Sequence, residues 1–365
     1  MRVKKLTISA VGDICPGEHP LCIGFGMKSK VEKEGEEFIF RNVKKLFEKS
    51  DIVLGNLEGV ISDSGFKDGD INSMIFRGTP NFVGSLKFAG FNVMNIANNH
   101  ILQHGDEAFY DSIKLLKTNG IGIVGLKCQD NSFLCEPFII DKNDMKIGLL
   151  GYSFLRDHYF AKDALYAVAN DEAIFYDIRK LKKEVDLLVV SCHWGTELMR
   201  YPSSKERRIA KQMVDEGVDI IFGHHPHVIQ PIEKYKNSLI FYSLGNFAVD
   251  FIWLPSYRVS VVAKIIVYDS LEIDYELTFI EINKDYQPSL IDTEGLGYLD
   301  KIVSLQNSKL CNPKFKEEDG KLDNYYIKEA LKLERENTRA KILYFLKNMH
   351  RTKPIVFKYI LNKLL

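Results

Sequence analysis

The stretch VDIIFGHHPH, residues 218–227, decides the fold class. It opens on a short Val/Ile/Phe run, the composition of a strand covered on both faces. It then breaks into a loop carrying three imidazoles, His224, His225 and His227. On extended backbone the side-chain period of two points His225 and His227 to the same side. The same construction recurs outward from it. KLTISAV (5–11) leads to Asp13, DIVLG (51–55) to Asn56 and Glu58, and NVMNI (92–96) to Asn98, Asn99 and His100. DLLVVSC (186–192) leads to His193, and SLIFYS (238–243) to Gly245 and Asn246, while MKIGLLG (145–151) is a further apolar strand. Helical segments lie between them. Thr79-Pro80 starts one that Gly90 closes, Asp106–Asn119 and Asp171–Glu184 carry helical periodicity, and Ser203 caps one ending at Gly217. Alternating strands and helices predict an α/β fold. Residues 258–283 read instead as two antiparallel strands with an Asp-Ser turn, completing a second sheet, and the text is helical from about 320 onward.

In open α/β sheets, ligands sit beyond the carboxyl ends of the strands, where the loops converge. Carboxylate, carboxamide and imidazole groups recur at those ends here. Taken singly, each has an ordinary explanation: Asp13 a turn or cap, Asn98-Asn99 a turn pair, His193 a satisfied core histidine. Their joint placement favours a metal site. Nitrogen and oxygen donors without thiolates suit Mn²⁺, Fe or Zn²⁺ in a catalytic rather than a structural centre. Six donors exceed what one catalytic ion takes and suffice for two, which together activate water and clamp a phosphoryl group. His19, His104, His158 and His350 lack this placement and read as structural.

Lys+Arg and Asp+Glu both number 49, so no global charge points to nucleic acid. The six cysteines show no CxxC spacing and read as reduced thiols, with Cys128/Cys135, which brackets a loop, a candidate to bridge. Met1–Val11 enters a strand directly, without the apolar core of a signal peptide, and no stretch has the roughly 20 apolar residues of a membrane span. A cytoplasmic protein is expected.

At this point the chain resembles the CapA, or poly-γ-glutamate (capsule) synthesis, family of the calcineurin-like metallophosphatase superfamily. The likeness runs from about Lys4 to Asp250 through GDICPG, GNLEG, ANNH, HWG with the following Pro202, GHHPH and YSLGNF. It implies a four-layer α/β/β/α sandwich over residues 1–290, with 291–365 a mainly helical C-terminal extension. It also implies two divalent ions, one held by Asp13 and His227, the other by Asn99, His193 and His225. Glu58 is the expected bridge; Asn56 is the other candidate for that role, and otherwise holds the loop by hydrogen bonds or contacts substrate. His100 is the expected proton donor or phosphate contact. The chain departs from the superfamily pattern in following Asp13 with Ile14 and Cys15, and in carrying Asn56 where an Asp is usual. It also has Gln103 where the family places an Asp, and Glu206 where it places a Gln.

The expected activity is that of a metal-dependent phosphoesterase-type hydrolase acting on a phosphorylated or polyanionic substrate of envelope polymer synthesis. The alternatives are a non-hydrolytic subunit of a polymer synthesis or export complex, and a metal-dependent γ-glutamyl peptidase or amidase. From Thr338 to Leu365 there are seven basic residues and no acidic one, interleaved with Ile342, Leu343, Phe345, Leu346 and Val356. A basic amphipathic helix interrupted at Pro354 either lies on an anionic membrane or packs on the domain with its basic face in solvent.

Overall fold

The computed structural model describes residues 3–156, 164–291 and 321–364. His158, Cys311 and the first part of the C-terminal extension lie outside the described residues. The strands are β1 (Lys4–Ile14), β2 (Ile52–Leu57), β3 (Val93–Asn95), β4 (Gly122–Val124), β5 (Phe138–Lys142), β6 (Met145–Ser153) and β7 (Leu187–His193). They continue with β8 (Ile220–His224), β9 (Ile232–Tyr235), β10 (Ser238–Phe241), β11 (Asn246–Ala248), β12 (Val259–Tyr268), β13 (Ile273–Ile282) and β14 (Pro288–Leu290). The helices are α1 (Met27–Glu34), α2 (Ile71–Met74), α3 (Phe82–Ala89), α4 (Gly105–Thr118), α5 (Asp171–Lys182), α6 (Ser204–Asp215), α7 (Pro255–Arg258), α8 (Lys321–Asn348) and α9 (Pro354–Leu364).

Two sheets form. One runs β14-β13-β12-β1-β2-β3-β4, with β11 added to β1; the other runs β5-β6-β7-β8-β10-β9. The apolar clusters show how they are covered. One cluster draws on both sheets, joining Ile8, Ala10, Leu54 and Val93 of the first to Ile147, Leu149, Val189 and Phe222 of the second. A second places Met27, Phe82, Leu86, Phe109 and Leu116 of α1, α3 and α4 with the first sheet. A third places Ile174, Ile178, Ile209 and Met213 of α5 and α6 with the second. Each such side chain contributes about 1.5–3 kcal/mol by leaving water, which is why the strands read as near-continuous apolar runs.

Several elements differ from the sequence expectation. The β12–β13 hairpin does not complete the second sheet; β12 pairs antiparallel with β1 and so extends the first. Alternation revealed the hairpin, but its partner is set by contacts about 250 residues away. The sequence does not mark strands β4, β5, β9, β11 and β14; β4, β11 and β14 are three residues long, β9 is four, and β5 is largely exposed, so none offers a long apolar run. The helix near Pro80 begins at Phe82 with Asn81 as its N-cap, because Thr79 closes a turn onto Phe82 N instead. Ser203 does cap α6, and Glu206 completes a reciprocal capping box by accepting from Ser203 N. That pairing gives Glu206 a structural role.

Candidate metal centre

Asp13 stands near the end of β1, held by a backbone bond from its N–H to Gly245 O at 3.0 Å. The strand and the Gly245 turn approach so closely that a Cβ on Gly12 would collide with that carbonyl. The turn in turn delivers Asn246, whose Oδ1 lies 2.9 Å from His227 Nδ1. Glu58 follows β2, with its N–H bonded to Ile14 O at 2.8 Å. His193 ends β7, and His224 ends β8 beside it in register.

His225 and His227 are not on extended backbone. Both have positive φ, 93° and 58°, so the strand-alternation argument for this pair is wrong. A tight turn through Pro226 brings the rings to a centroid separation of 5.7 Å instead. Positive φ in non-glycine residues costs free energy and is concentrated at functional sites.

The geometry brings the candidates together in two overlapping groups, Asp13/Glu58/His227 and Glu58/His193/His225, each with donor atoms mutually within 4.8 Å. Glu58 belongs to both. Its Oε1 lies 3.7 Å from His193 Nε2 and 3.8 Å from His227 Nε2. Asn99 joins the second group, its Oδ1 2.8 Å from His193 Nε2. His100 stands at the edge, with Nδ1 donating to Gln103 Oε1 at 3.0 Å and Nε2 3.9 Å from Glu58 Oε1. Its ring leans on Phe76, 4.8 Å away.

Asn56 is placed differently. Its amide nitrogen donates to Asp13 Oδ1 at 2.8 Å, and its oxygen accepts from Asn95 at 3.0 Å and Asn98 at 3.4 Å. With no exposed surface, it holds Asp13 rather than facing a substrate, so a direct catalytic contact from Asn56 has no support in this arrangement.

The donor set fits positive charge. Both Glu58 carboxylate oxygens are buried without a hydrogen-bond partner among the described residues, as are His225 Nδ1 and His224 Nε2, while His224 Nδ1 lies 3.4 Å from Asp13 Oδ1. Leaving a buried carboxylate unsatisfied costs several kcal/mol, so such a group is expected to face a cation. Burial pushes Glu58 well above the ordinary carboxylate range, with the His227 charge opposing. Burial likewise works against Asp13, yet its contacts with His224 and His227 hold it well below that range. His227 rises to about 10, because the Glu58 charge and the Asp13 bond outweigh burial. His225 falls to about 4, through burial and the neighbouring His227 charge. Burial also lowers His193 and His100. The acids thus gather positive charge on one ring.

Sequence reasoning missed part of the surroundings. Glu197, Phe76, Trp253, Tyr257 and Lys341 line a cavity of about 190 Å³ with Glu58, His100 and His227. Glu197 falls below the ordinary range: burial opposes this, and the His227 and His225 charges outweigh it. None of these residues ends a strand, so the signal that found the others did not apply. His104 lies apart, donating to Ile75 O at 2.8 Å. His19 does line the cavity, and its backbone N–H is tied to Asp250 Oδ1 at 3.0 Å. The described cysteines are all free, Cys128 and Cys135 included.

Mixed α/β architecture and a buried histidine–carboxylate cluster define a two-sheet protein with donor groups for metal. The chain belongs to the family described as bacterial capsule synthesis protein PGA_cap, which it matches over residues 7–251. It is 32% identical over 321 residues to the "PGA biosynthesis protein CapA" of Bacillus subtilis, covering 87% of this chain and 81% of that one. It is 34% identical over 262 residues to the "Capsule biosynthesis protein CapA" of Bacillus anthracis, covering 68% and 61%. A "Probable polyglutamine synthesis accessory protein" of Mycobacterium tuberculosis is 26% identical over 227 residues, covering 55% and 56%.

Proposed function

We propose that this chain is a dimetal phosphoesterase-type hydrolase serving poly-γ-glutamate or another capsular polymer, built on the calcineurin-like four-layer α/β/β/α sandwich. The relatives' names supply the polymer, and the layering of the three apolar clusters supports the sandwich. One observation carries the chemistry: Glu58 is common to both donor groups and has both oxygens unpartnered. Asp13, Glu58 and His227 would hold one ion, and Glu58, His193, His225 and Asn99 the other. Bound there, two divalent ions such as Mn²⁺, Fe or Zn²⁺ would supply activated water and charge stabilisation at a phosphoryl group.

The remaining residues have distinct tasks. Asn56, fixed by Asn95 and Asn98, orients Asp13. His100 is positioned by Gln103 with Nε2 toward Glu58, where, once protonated beside a bound phosphoryl group, it would pass a proton to a leaving oxygen. Phe76 keeps that ring in place.

The Mycobacterium relative's name favours a second reading, in which the same site binds polyanion without turnover as part of a polymer-synthesis complex. A γ-glutamyl peptidase or amidase is a third. Contact with an anionic membrane belongs to either of the first two. No described helix is long and apolar enough to cross a membrane, but α8 leaves Ile342, Leu343 and Leu346 about half exposed on a basic segment.

Metal analysis with aryl phosphate mono- and diester turnover, wild type against His225→Ala, tests the proposal. About two ions per chain and turnover lost in the variant support it. Metal without turnover supports the accessory reading, and absence of metal after reconstitution with Mn²⁺, Fe and Zn²⁺ in turn removes both.

A further inference from the structure

Helix α8 is not merely an appendage with its basic face in solvent. Asn337, Lys341 and Tyr344, spaced i, i+4 and i+7, form one face that meets Trp253. Trp253 Nε1 donates to Asn337 Oδ1 at 2.7 Å, and the Tyr344 ring lies 5.6 Å from the indole. Lys341 sits between these anchors, with Nζ 5.6 Å from the Trp253 ring centroid. Farther along, Val356 of α9 is fully buried against Ile23, Ile71 and Ile75.

That seating carries Lys341 into the wall of the cavity that Glu58, His100 and His227 also line. It is the sole lysine or arginine among the described lining residues. No carboxylate among the described residues lies within salt-bridge distance of its ammonium; Glu197, across the same cavity, feels its charge without a direct contact. Arg339, Lys347, Arg351, Lys353 and Lys358 of the same segment are not among the described residues lining this cavity. A half-buried ammonium held over an indole face is pre-positioned, and the cost of immobilising its long side chain is already met in the free protein.

We propose that Lys341 is the anion-recognising residue of the substrate cavity, taking a phosphate or carboxylate group of a polyanionic substrate. The inference rests on the reading of Glu58 and its neighbours as a metal centre only for which part of the substrate lies beside it. The C-terminal helices thereby complete the site and select substrates bearing an anion near the reacting bond. Lysine serves as a point charge and accepts either anion, so the two sources must be separated by experiment.

Calorimetric titration with inorganic phosphate, and separately with tri-γ-glutamate, provides the test, using full-length protein with and without reconstituting Mn²⁺. Lys341→Met should weaken binding of at least one anion about tenfold and flatten its salt dependence, at unchanged metal content and melting temperature. Lys341→Arg, which keeps the charge, should bind within about threefold of wild type, a difference under 1 kcal/mol. Loss confined to phosphate assigns a phosphorylated substrate; loss confined to tri-γ-glutamate assigns the polymer's carboxylates. Unchanged affinity for both in Lys341→Met, or no measurable binding of either by wild type, overturns the inference. Wild type that takes up no metal yet loses anion binding in Lys341→Met would sink the metal reading and leave Lys341 in its role.

Discussion

Glu58→Gln and Asn56→Ala should have opposite signatures, and the structure sets their size. Glu58 is 2% exposed and both its oxygens lack hydrogen-bond partners. In metal-free protein that carboxylate is a penalty, so the uncharged isostere should leave stability within about 1 kcal/mol of wild type or raise it. Toward metal the same charge is attractive. A unit charge pair 4 Å apart at an effective dielectric of 20 is worth about 4 kcal/mol. Losing only about 2.7 kcal/mol of the attraction weakens an ion about a hundredfold. At a Mn²⁺ concentration 100 times the wild-type Kd, one ion stabilises wild type by about 2.7 kcal/mol but Glu58→Gln by only about 0.4 kcal/mol. Asn56→Ala removes the bond to Asp13 and the bonds from the Asn95 and Asn98 amides, the latter keeping Leu57 O at 2.8 Å, at about 3 kcal/mol in total. It should keep both ions. Urea denaturation with and without Mn²⁺, alongside elemental analysis, reads both quantities. The reasoning is refuted if Glu58→Gln takes up two ions with full stabilisation while Asn56→Ala empties a site.

His104 makes the fold acid-sensitive independently of the metal centre. Burial, reinforced by Arg77, lowers it from 6.5 to about 4, so the folded state holds it neutral. Its stabilising contribution is complete above pH 6.5 and declines as pH falls toward 4, by at most about 3 kcal/mol. His104→Gln should shrink the difference in urea stability between pH 7 and pH 5; an unchanged difference counts against it. At the membrane, Leu343→Glu with Leu346→Glu should abolish salt-sensitive binding to phosphatidylserine vesicles without changing the melting temperature, because both side chains are more than half exposed. Equal vesicle binding by this variant would eliminate the surface contact. Truncation before Thr338 should instead destabilise the protein, since it removes Tyr344 from Trp253 and Val356 from its buried seat.

The sequence alone determined the parts whose information is local. Apolar runs marked β1, β2, β3, β6, β7, β8 and β10, because strands covered on both faces must be apolar throughout. Metal-competent residues at their ends marked Asp13, Glu58, Asn99, His193, His225 and His227, because loops at strand ends converge. Both signals are written within about ten residues. Partnership is not. Only the tertiary structure set β12 beside β1, since strand pairing is chosen by the whole apolar surface and not by alternation. Only it showed that a left-handed turn, and no strand, aims His225 and His227. It likewise spent the Asn56 amide on Asp13, Asn95 and Asn98 and left Glu58 free to join both donor groups. The C-terminal helix shows the limit most clearly. Its basic and apolar pattern is equally compatible with a membrane or with the domain, and only the Trp253 surface decides that Lys341 turns inward while Leu343 and Leu346 remain outside.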